Sequence, residues 1–327
     1  MKAVTLVKVT SVADAVTALK KGKAVIYAGG TDMLPELKGM ISPNAPDTLV
    51  DIKTIPNLSY IKEEGGMLKI GPLTLLSDIA NSSVVQGKYA ALAQAAGRAA
   101  SPELRNMGTI AGNICQHVRC WYYRAEHNVF SCLRKNPSGI CYALIGDNRF
   151  HSIFGAVSGC IAVNPSDLAP ALYALGAKIV TNKKTWDIKD FFAVNGESTT
   201  ALATDEIITE IQVPTPAAGT KSAFMKFAIR KSFDFPIVNC AAAVTSAGGV
   251  VSSSTIVLNA VHNLPRRVTA AEDAIKGKAI DATSSDAAGT AAMSGAAPLA
   301  ASGYNPGNKY MVQIAKIMVK RTVLACK

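Results

Sequence analysis

Between positions 108 and 160 the chain sets a small-residue loop, Gly108-Thr109-Ile110-Ala111-Gly112-Asn113, directly ahead of five of its seven cysteines, Cys115, Cys120, Cys132, Cys141 and Cys160. No other stretch limits the fold as strongly. A loop of Gly, Ala and Thr lets backbone approach a ligand closely, because no large side chain stands in the way. Cysteines gathered this closely in a chain whose thiols stay reduced point to metal or to buried thiols rather than to disulfides.

A second glycine turn lies upstream. Residues 23–28, with Val25-Ile26-Tyr27 at their centre, read as a strand that runs into Gly29-Gly30-Thr31-Asp32 and then into a short helix over 33–40, with Pro35 near its start. Strand, double glycine, helix is an arrangement that can hold phosphate. The glycines leave backbone amides free to face anionic oxygens, and a helix N-terminus adds a favourable dipole. It is neither the dinucleotide fingerprint nor a P-loop, since no Gly-Lys-Ser/Thr follows. A Gly-Gly pair after a strand is also an ordinary turn, so both readings stand on this feature alone.

From Cys120 the cysteine spacing is C-x11-C-x8-C-x18-C. Zinc ribbons and fingers use tight C-x2-C or C-x4-C knuckles, and only Cys115/Cys120 makes one. The closely spaced ferredoxin run is absent as well. Three readings fit: inert buried thiols, structural zinc, and a [4Fe–4S] cluster. Arg119, Arg124, Arg134 and Lys135 lie among the thiols and would offset the charge of a cluster. His117, His127 and His151 are alternative ligands, each read as an ordinary loop or surface histidine. Cys240, inside an apolar strand, and Cys326, at the C-terminus, read as structural.

The remainder alternates short strands and helices. Strands are expected over 1–10, 49–52, 60–61, 67–70, 73–76, 160–163, 177–181 and 207–213, and helices over 11–21, 77–80, 89–100 and 168–176. Ser11 caps the first of these helices, and the Asn164-Pro165-Ser166-Asp167 turn leads into the last. After a linker over 214–220, strands over 224–229, 238–244 and 249–261 precede helices over 267–276, 282–293 and 310–326. The fold class is α+β.

With 34 basic and 23 acidic residues the net charge is +11, which favours acidic or phosphate-bearing partners. The Lys and Arg residues are scattered and carry no recognition-helix, zinc-finger or RNA-binding signature, which argues against nucleic acid. No run of about 18 apolar residues exists, so no membrane span is expected. Residues 1–8 show no basic-then-apolar signal segment, and the expected location is cytoplasmic.

Taken together, Ala28-Gly29-Gly30-Thr31-Asp32, Leu104-Arg105-Asn106, Thr109-Ile110-Ala111-Gly112-Asn113, Asn164-Pro165-Ser166-Asp167 and Lys226…Arg230…Asp234-Phe235-Pro236 resemble the FAD-binding medium subunit of molybdenum hydroxylases, the xanthine dehydrogenase and carbon monoxide dehydrogenase family. The likeness runs in order along essentially the whole chain, through Gly295-Ala296-Ala297-Pro298-Leu299 to the final helix. It implies a two-subdomain FAD-binding fold of the vanillyl-alcohol-oxidase type over 1–56 and 57–214, then an α+β domain over 215–327. The subgroup with added cysteines, like the FAD subunits of 4-hydroxybenzoyl-CoA reductase and of bacterial aldehyde oxidoreductase, places a [4Fe–4S] cluster in an insertion, here at about 115–160. Its ligands correspond to Cys120, Cys132, Cys141 and Cys160, which leaves Cys115 as the spare thiol.

The resemblance also implies that Ala28, Gly29, Gly30, Thr31, Asp32, Met33 and Leu34, together with Thr109, Gly112 and Asn113, hold the flavin, with Asp167 and Lys226 near its ribityl or ring region. The expected activity is electron transfer, FAD and cluster linking an external donor or acceptor to a small [2Fe–2S] subunit and a large molybdenum-cofactor subunit where substrate reacts. Ferredoxin or another electron carrier is the expected external partner. The rival readings are a zinc-stabilised nucleotide-binding module without redox role and a stand-alone flavin oxidase, for which the chain offers no evident catalytic base.

Overall fold

The structure, a computed structural model, describes residues 2–303 and 305–327; Met1, which opens the expected 1–10 strand, and Tyr304 lie outside the described residues. The first unit is a three-stranded parallel sheet in the order Thr5–Lys8, Thr48–Asp51, Ala24–Tyr27. Parallel strands need crossovers, and the helices Val12–Leu19 and Met33–Lys38 supply them. Ser11 caps the first helix by accepting from Asp14 N at 3.1 Å, and Ala15, Ala18 and Leu19 turn inward on Val50 and Ile52. The middle strand is apolar and buried where it runs between the other two, as a parallel strand covered on both faces must be.

The second unit is a five-stranded antiparallel sheet, Ile61–Glu64, Met67–Ile70, Ile208–Pro214, Lys178–Thr181 and Thr185–Asp187 in spatial order. Ala90–Arg98 and Leu168–Ala174 bring Leu92, Ala95, Leu168 and Leu172 into one core with Leu68, Ile70, Ile179 and Ile211 of the sheet. Two expected strands are absent. In the 73–76 run, Leu73 N bonds Leu58 O, Leu75 makes an isolated bridge with Thr109, and Leu76 starts the helix Leu76–Asn81. The 160–163 run is buried but makes no ladder: Cys160 and Val157 bond each other, and Ala162 N donates to the Cys160 sulfur at 3.4 Å. An apolar run gives burial without saying whether the partner is a strand or a loop.

The third unit is an antiparallel sheet, Thr220–Phe227, Val238–Ala247, Val250–Asn259 and Arg266–Arg267. Its residues alternate between two cores. Phe224, Ala241 and Val257 face the second unit, while Cys240, Ala242, Ile256 and Leu258 face the helices Thr269–Ile275, Ala282–Ala291 and Tyr310–Leu324. The alanine-rich 282–301 stretch is helical over its first ten residues, Ala282–Ala291, because small side chains let it lie close to the last helix: a Cβ on Gly289 would stand 2.6 Å from Lys316 O. Among the described residues no helix is long and apolar enough to cross a membrane.

The segment between the helices Ile110–Cys115 and Leu168–Ala174 holds few regular elements. A small core of Ile41, Val118, Tyr123, Cys132, Cys160 and Ala162 fixes it. Asn308, just before the last helix, donates to the carbonyls of His151 and Ser152 at 3.0 Å each.

Candidate functional site

The double-glycine turn leaves the strand Ala24–Tyr27 and packs directly on the chain at Met107. A Cβ on Gly29 would stand 2.0 Å from Met107 O, and Gly30 has φ +70°, so both positions require glycine. Among the described residues, the N–H groups of Gly29, Gly30, Thr31 and Asp32 donate to no backbone carbonyl, whereas Leu34 N donates to Gly30 O and Glu36 N to Asp32 O. The turn is half-buried, with Thr31 exposed at its tip. Four neighbouring amides without backbone acceptors are available to an anionic group such as a phosphate.

The second glycine loop faces the first. The expected loop 109–113 is in fact the start of the short helix Ile110–Cys115, capped by Thr109, whose Oγ1 accepts from Gly112 N at 3.2 Å. Ile110 N donates to Thr74 O and Ala111 N to Pro72 O, so those amides are already engaged within the chain. This side offers the Thr109 N–H, which donates to no backbone carbonyl among the described residues, and the Asn113 side chain, whose Oδ1 accepts from Ser166 Oγ at 2.6 Å.

Asp32 occupies the N-cap position of the helix Met33–Lys38 without capping it. Its carboxylate turns to the cysteine-bearing segment: Arg119 Nη2 lies at 2.7 Å, Arg124 Nη2 at 2.8 Å, and His117 N donates at 2.9 Å. Burial by itself would push this carboxyl up; Arg119, Arg124 and the His117 N–H together hold it below the usual carboxylate value. One turn on, Glu36 meets Arg124 and His117 Nδ1, each at 3.0 Å. The Tyr123 hydroxyl stands 3.0 Å from His117 Nδ1 and donates to Glu197 Oε2, also at 3.0 Å.

Asp167 and Lys226 form an ion pair at 2.7 Å, each side chain 5% exposed. Asn239 Nδ2 donates to the other carboxylate oxygen at 2.8 Å, and Lys226 Nζ also reaches Arg98 O at 3.1 Å. Burial pushes the Asp167 carboxyl up, against the pull of Lys226 and Asn239. Ser166 rather than Asp167 caps the following helix, accepting from Ala169 N at 3.1 Å, which leaves the carboxylate free for Lys226. Beside Lys226 opens a cleft of about 780 Å³, edged by Arg98, Arg105, Arg230, Lys231 and Arg321.

Cys120, Cys132, Cys141 and Cys160 line one recess, with Tyr122, Tyr123, Leu133, Arg134 and Tyr142 completing its wall. Cys115 is elsewhere: it packs against the main core, and burial pushes its thiol up to about 12. Burial also pushes Cys120 up to about 12, against the N–H groups of Tyr123 and Tyr122 and reinforced by the nearness of Cys160 and Cys141. Cys141 is raised chiefly by burial, with the Ile161 N–H pulling the other way. Burial thus disfavours the thiolate form of Cys120 and Cys141, a balance that a bound metal centre would reverse.

Among the described residues, no three Cys, His, Asp or Glu side chains close in on a single ion. The four thiols line the recess without converging on one point.

Sequence reasoning misplaced several neighbours. Arg119 and Arg124 serve the acidic pair Asp32 and Glu36; of the four basic residues expected among the thiols, Arg134 contacts one directly, 3.9 Å from the Cys160 sulfur. Lys135 bonds Ile41 O and Asn128. His151, read as an ordinary histidine, is buried with Nε2 at 3.2 Å from the Cys120 sulfur, and burial brings it down to about 4, so it is neutral. Nothing in local sequence marks the long-range contacts among these: His151 and Cys120 are 31 residues apart, His117 and Asp32 85, and Arg124 and Asp32 92.

Residues 2–216 match the family of FAD binding domains in molybdopterin dehydrogenase, and residues 222–326 match the CO dehydrogenase flavoprotein C-terminal domain. The chain is 32% identical over 281 residues to the aldehyde oxidoreductase FAD-binding subunit PaoB of Escherichia coli, covering 83% of this chain and 86% of that protein. It is 29% identical over 317 residues to the carbon monoxide dehydrogenase medium chain of Hydrogenophaga pseudoflava, covering 96% and 94%. The solved carbon monoxide dehydrogenase from Hydrogenophaga pseudoflava superposes with a TM-score of 0.75 at 28% identity, over 99% of this chain and 97% of that one. The free amides of the Gly29–Gly30 turn, the mixed fold and these matches lead to one conclusion: the chain belongs to the family of FAD-binding subunits of molybdopterin dehydrogenases, and it is an oxidoreductase subunit.

Proposed function

We propose that the chain carries FAD and a [4Fe–4S] cluster and passes electrons between an external carrier, such as ferredoxin, and a small [2Fe–2S] subunit with a large molybdenum-cofactor subunit. The four thiols around one recess are the observation that carries this reading, since they come from positions as distant as 120 and 160. Relatives named as medium chains and FAD subunits support the heteromeric arrangement. The net charge of +11 suits an acidic carrier. We divide the chain into flavin subdomains over 1–56 and 57–214 and a C-terminal domain over 215–327.

The amides of Gly29, Gly30, Thr31 and Asp32 would hold the diphosphate, with Ala28, Met33 and Leu34 shaping that side and Thr109, Gly112 and Asn113 the other. Asp167 and Lys226 would lie near the flavin's ribityl or ring region. Cys120, Cys132, Cys141 and Cys160 would hold the iron, with an Arg134 N–H directed at the Cys160 sulfur and His151 Nε2 beside the Cys120 sulfur. When bound, flavin supplies exchange between two-electron and one-electron chemistry, and iron–sulfur centres supply one-electron transfer. The protein would position both, with Cys132 and Cys160 buried and Cys120 and Cys141 half-buried.

Iron analysis on anaerobically purified protein tests the ligand set. Cys115→Ser should leave iron and acid-labile sulfide unchanged, and Cys120→Ser should lower both. The reverse pattern overturns the assignment, and a colourless, zinc-containing protein overturns the redox reading altogether.

A further inference from the structure

We infer that the segment 117–124, which carries Cys120, is a clamp on the turn that cradles the flavin diphosphate, so that cluster assembly and flavin binding are coupled through Asp32. The inference rests on the two cofactor assignments proposed above and adds a linkage between them.

Three donors from this one segment converge on one carboxylate: His117 N at 2.9 Å, Arg119 at 2.7 Å and Arg124 at 2.8 Å. The same segment grips Glu36 one helical turn further along, through His117 and Arg124. Cys120 sits at the middle of the clamp, and Arg124 N donates to Cys120 O at 2.8 Å, so one short turn fixes both guanidiniums relative to the thiol. The opposite side of the glycine turn has no slack, because Gly29 already abuts Met107 O.

The electrostatics are those of a closed set. Asp32 and Glu36 are partly buried, with side chains 22% and 11% exposed, and they neutralise two guanidiniums that are 25% and 14% exposed. Shifting the Cys120 turn would separate these charges in a poorly hydrated place, where an unpaired charge is costly. The clamp therefore holds one arrangement when Cys120 is anchored to iron and loosens when it is not. Coupling of this kind is reciprocal: whatever factor the cluster adds to flavin affinity, flavin adds to cluster binding.

The test uses the full chain purified anaerobically with both cofactors. Iron is removed from the wild type with a chelator and an oxidant, and the FAD dissociation constant is measured by flavin fluorescence before and after. We expect FAD binding to weaken about tenfold on iron removal, within the usual range for coupled sites. Flavin-stripped protein should also surrender iron to a chelator faster. In Asp32→Asn the cysteines are untouched, so the cluster should still assemble, but flavin affinity should fall and no longer depend on iron.

Equal FAD affinity with and without iron in the wild type overturns the coupling and leaves the cluster assignment standing. So does an iron dependence that survives intact in Asp32→Asn. Protein that cannot be reconstituted with iron and sulfide at all overturns the cluster assignment and the coupling together.

Discussion

Two acidic residues show how much the environment decides what a carboxylate does. Asp167 is enclosed by Lys226 and Asn239 with almost no exposure, so removing one partner leaves the other charge buried and alone. Lys226→Met should destabilise the protein by about 3–5 kcal/mol in chemical denaturation, with much of that recovered when Asp167→Leu is added. Asp32 is held below its ordinary carboxyl value of 3.8, so its stabilising contribution is present above that pH and is lost as pH falls through its lower folded value. The stability gap between wild type and Asp32→Asn should therefore shrink in denaturation curves recorded progressively below pH 3.8. The sequence marks Asp32 as a turn residue beside two glycines, but its partners stand 85 to 92 positions away and follow no periodicity. His151 escapes notice for the same reason: a lone histidine carries no sign of which sulfur it will face.

At the scale of elements, legibility follows pattern. Strands that alternate between two apolar layers, such as Val238–Ala247, announce themselves, because one residue in two meets each core. The capped helix Val12–Leu19 is equally plain, with Ser11 before it and apolar residues at helical spacing. The 73–76 and 160–163 runs mislead because burial without alternation has no fixed backbone partner. The Ala282–Ala291 helix is legible as a helix, yet the reason for its small residues becomes visible only against the final helix. A larger residue at its closest approach should pry the two apart: Gly289→Val should cost about 1–3 kcal/mol, read as a lowered melting temperature.

Across the whole molecule, one parallel and two larger antiparallel sheets set the double-glycine turn and the thiol recess near one another. The double-glycine turn rises from the first sheet and lies on backbone of the second unit, while the Asp167–Lys226 pair joins the second unit to the third. Arg119, next in the chain to the recess residue Cys120, pairs with Asp32 of the same turn, and its guanidinium also lies 4.3 Å from the Phe235 ring centre of the third unit. With flavin and iron bound as proposed, this placement would give electrons a route between the two within one chain.

The most direct test of that account is electron paramagnetic resonance on anaerobically purified, dithionite-reduced protein, with bound flavin quantified on the same sample. The account predicts a four-iron cluster signal integrating to about one spin for each FAD, lost in Cys120→Ser and retained in Cys115→Ser. Protein that binds FAD but shows no cluster signal after iron and sulfide reconstitution, or loses the signal in Cys115→Ser alone, would contradict it.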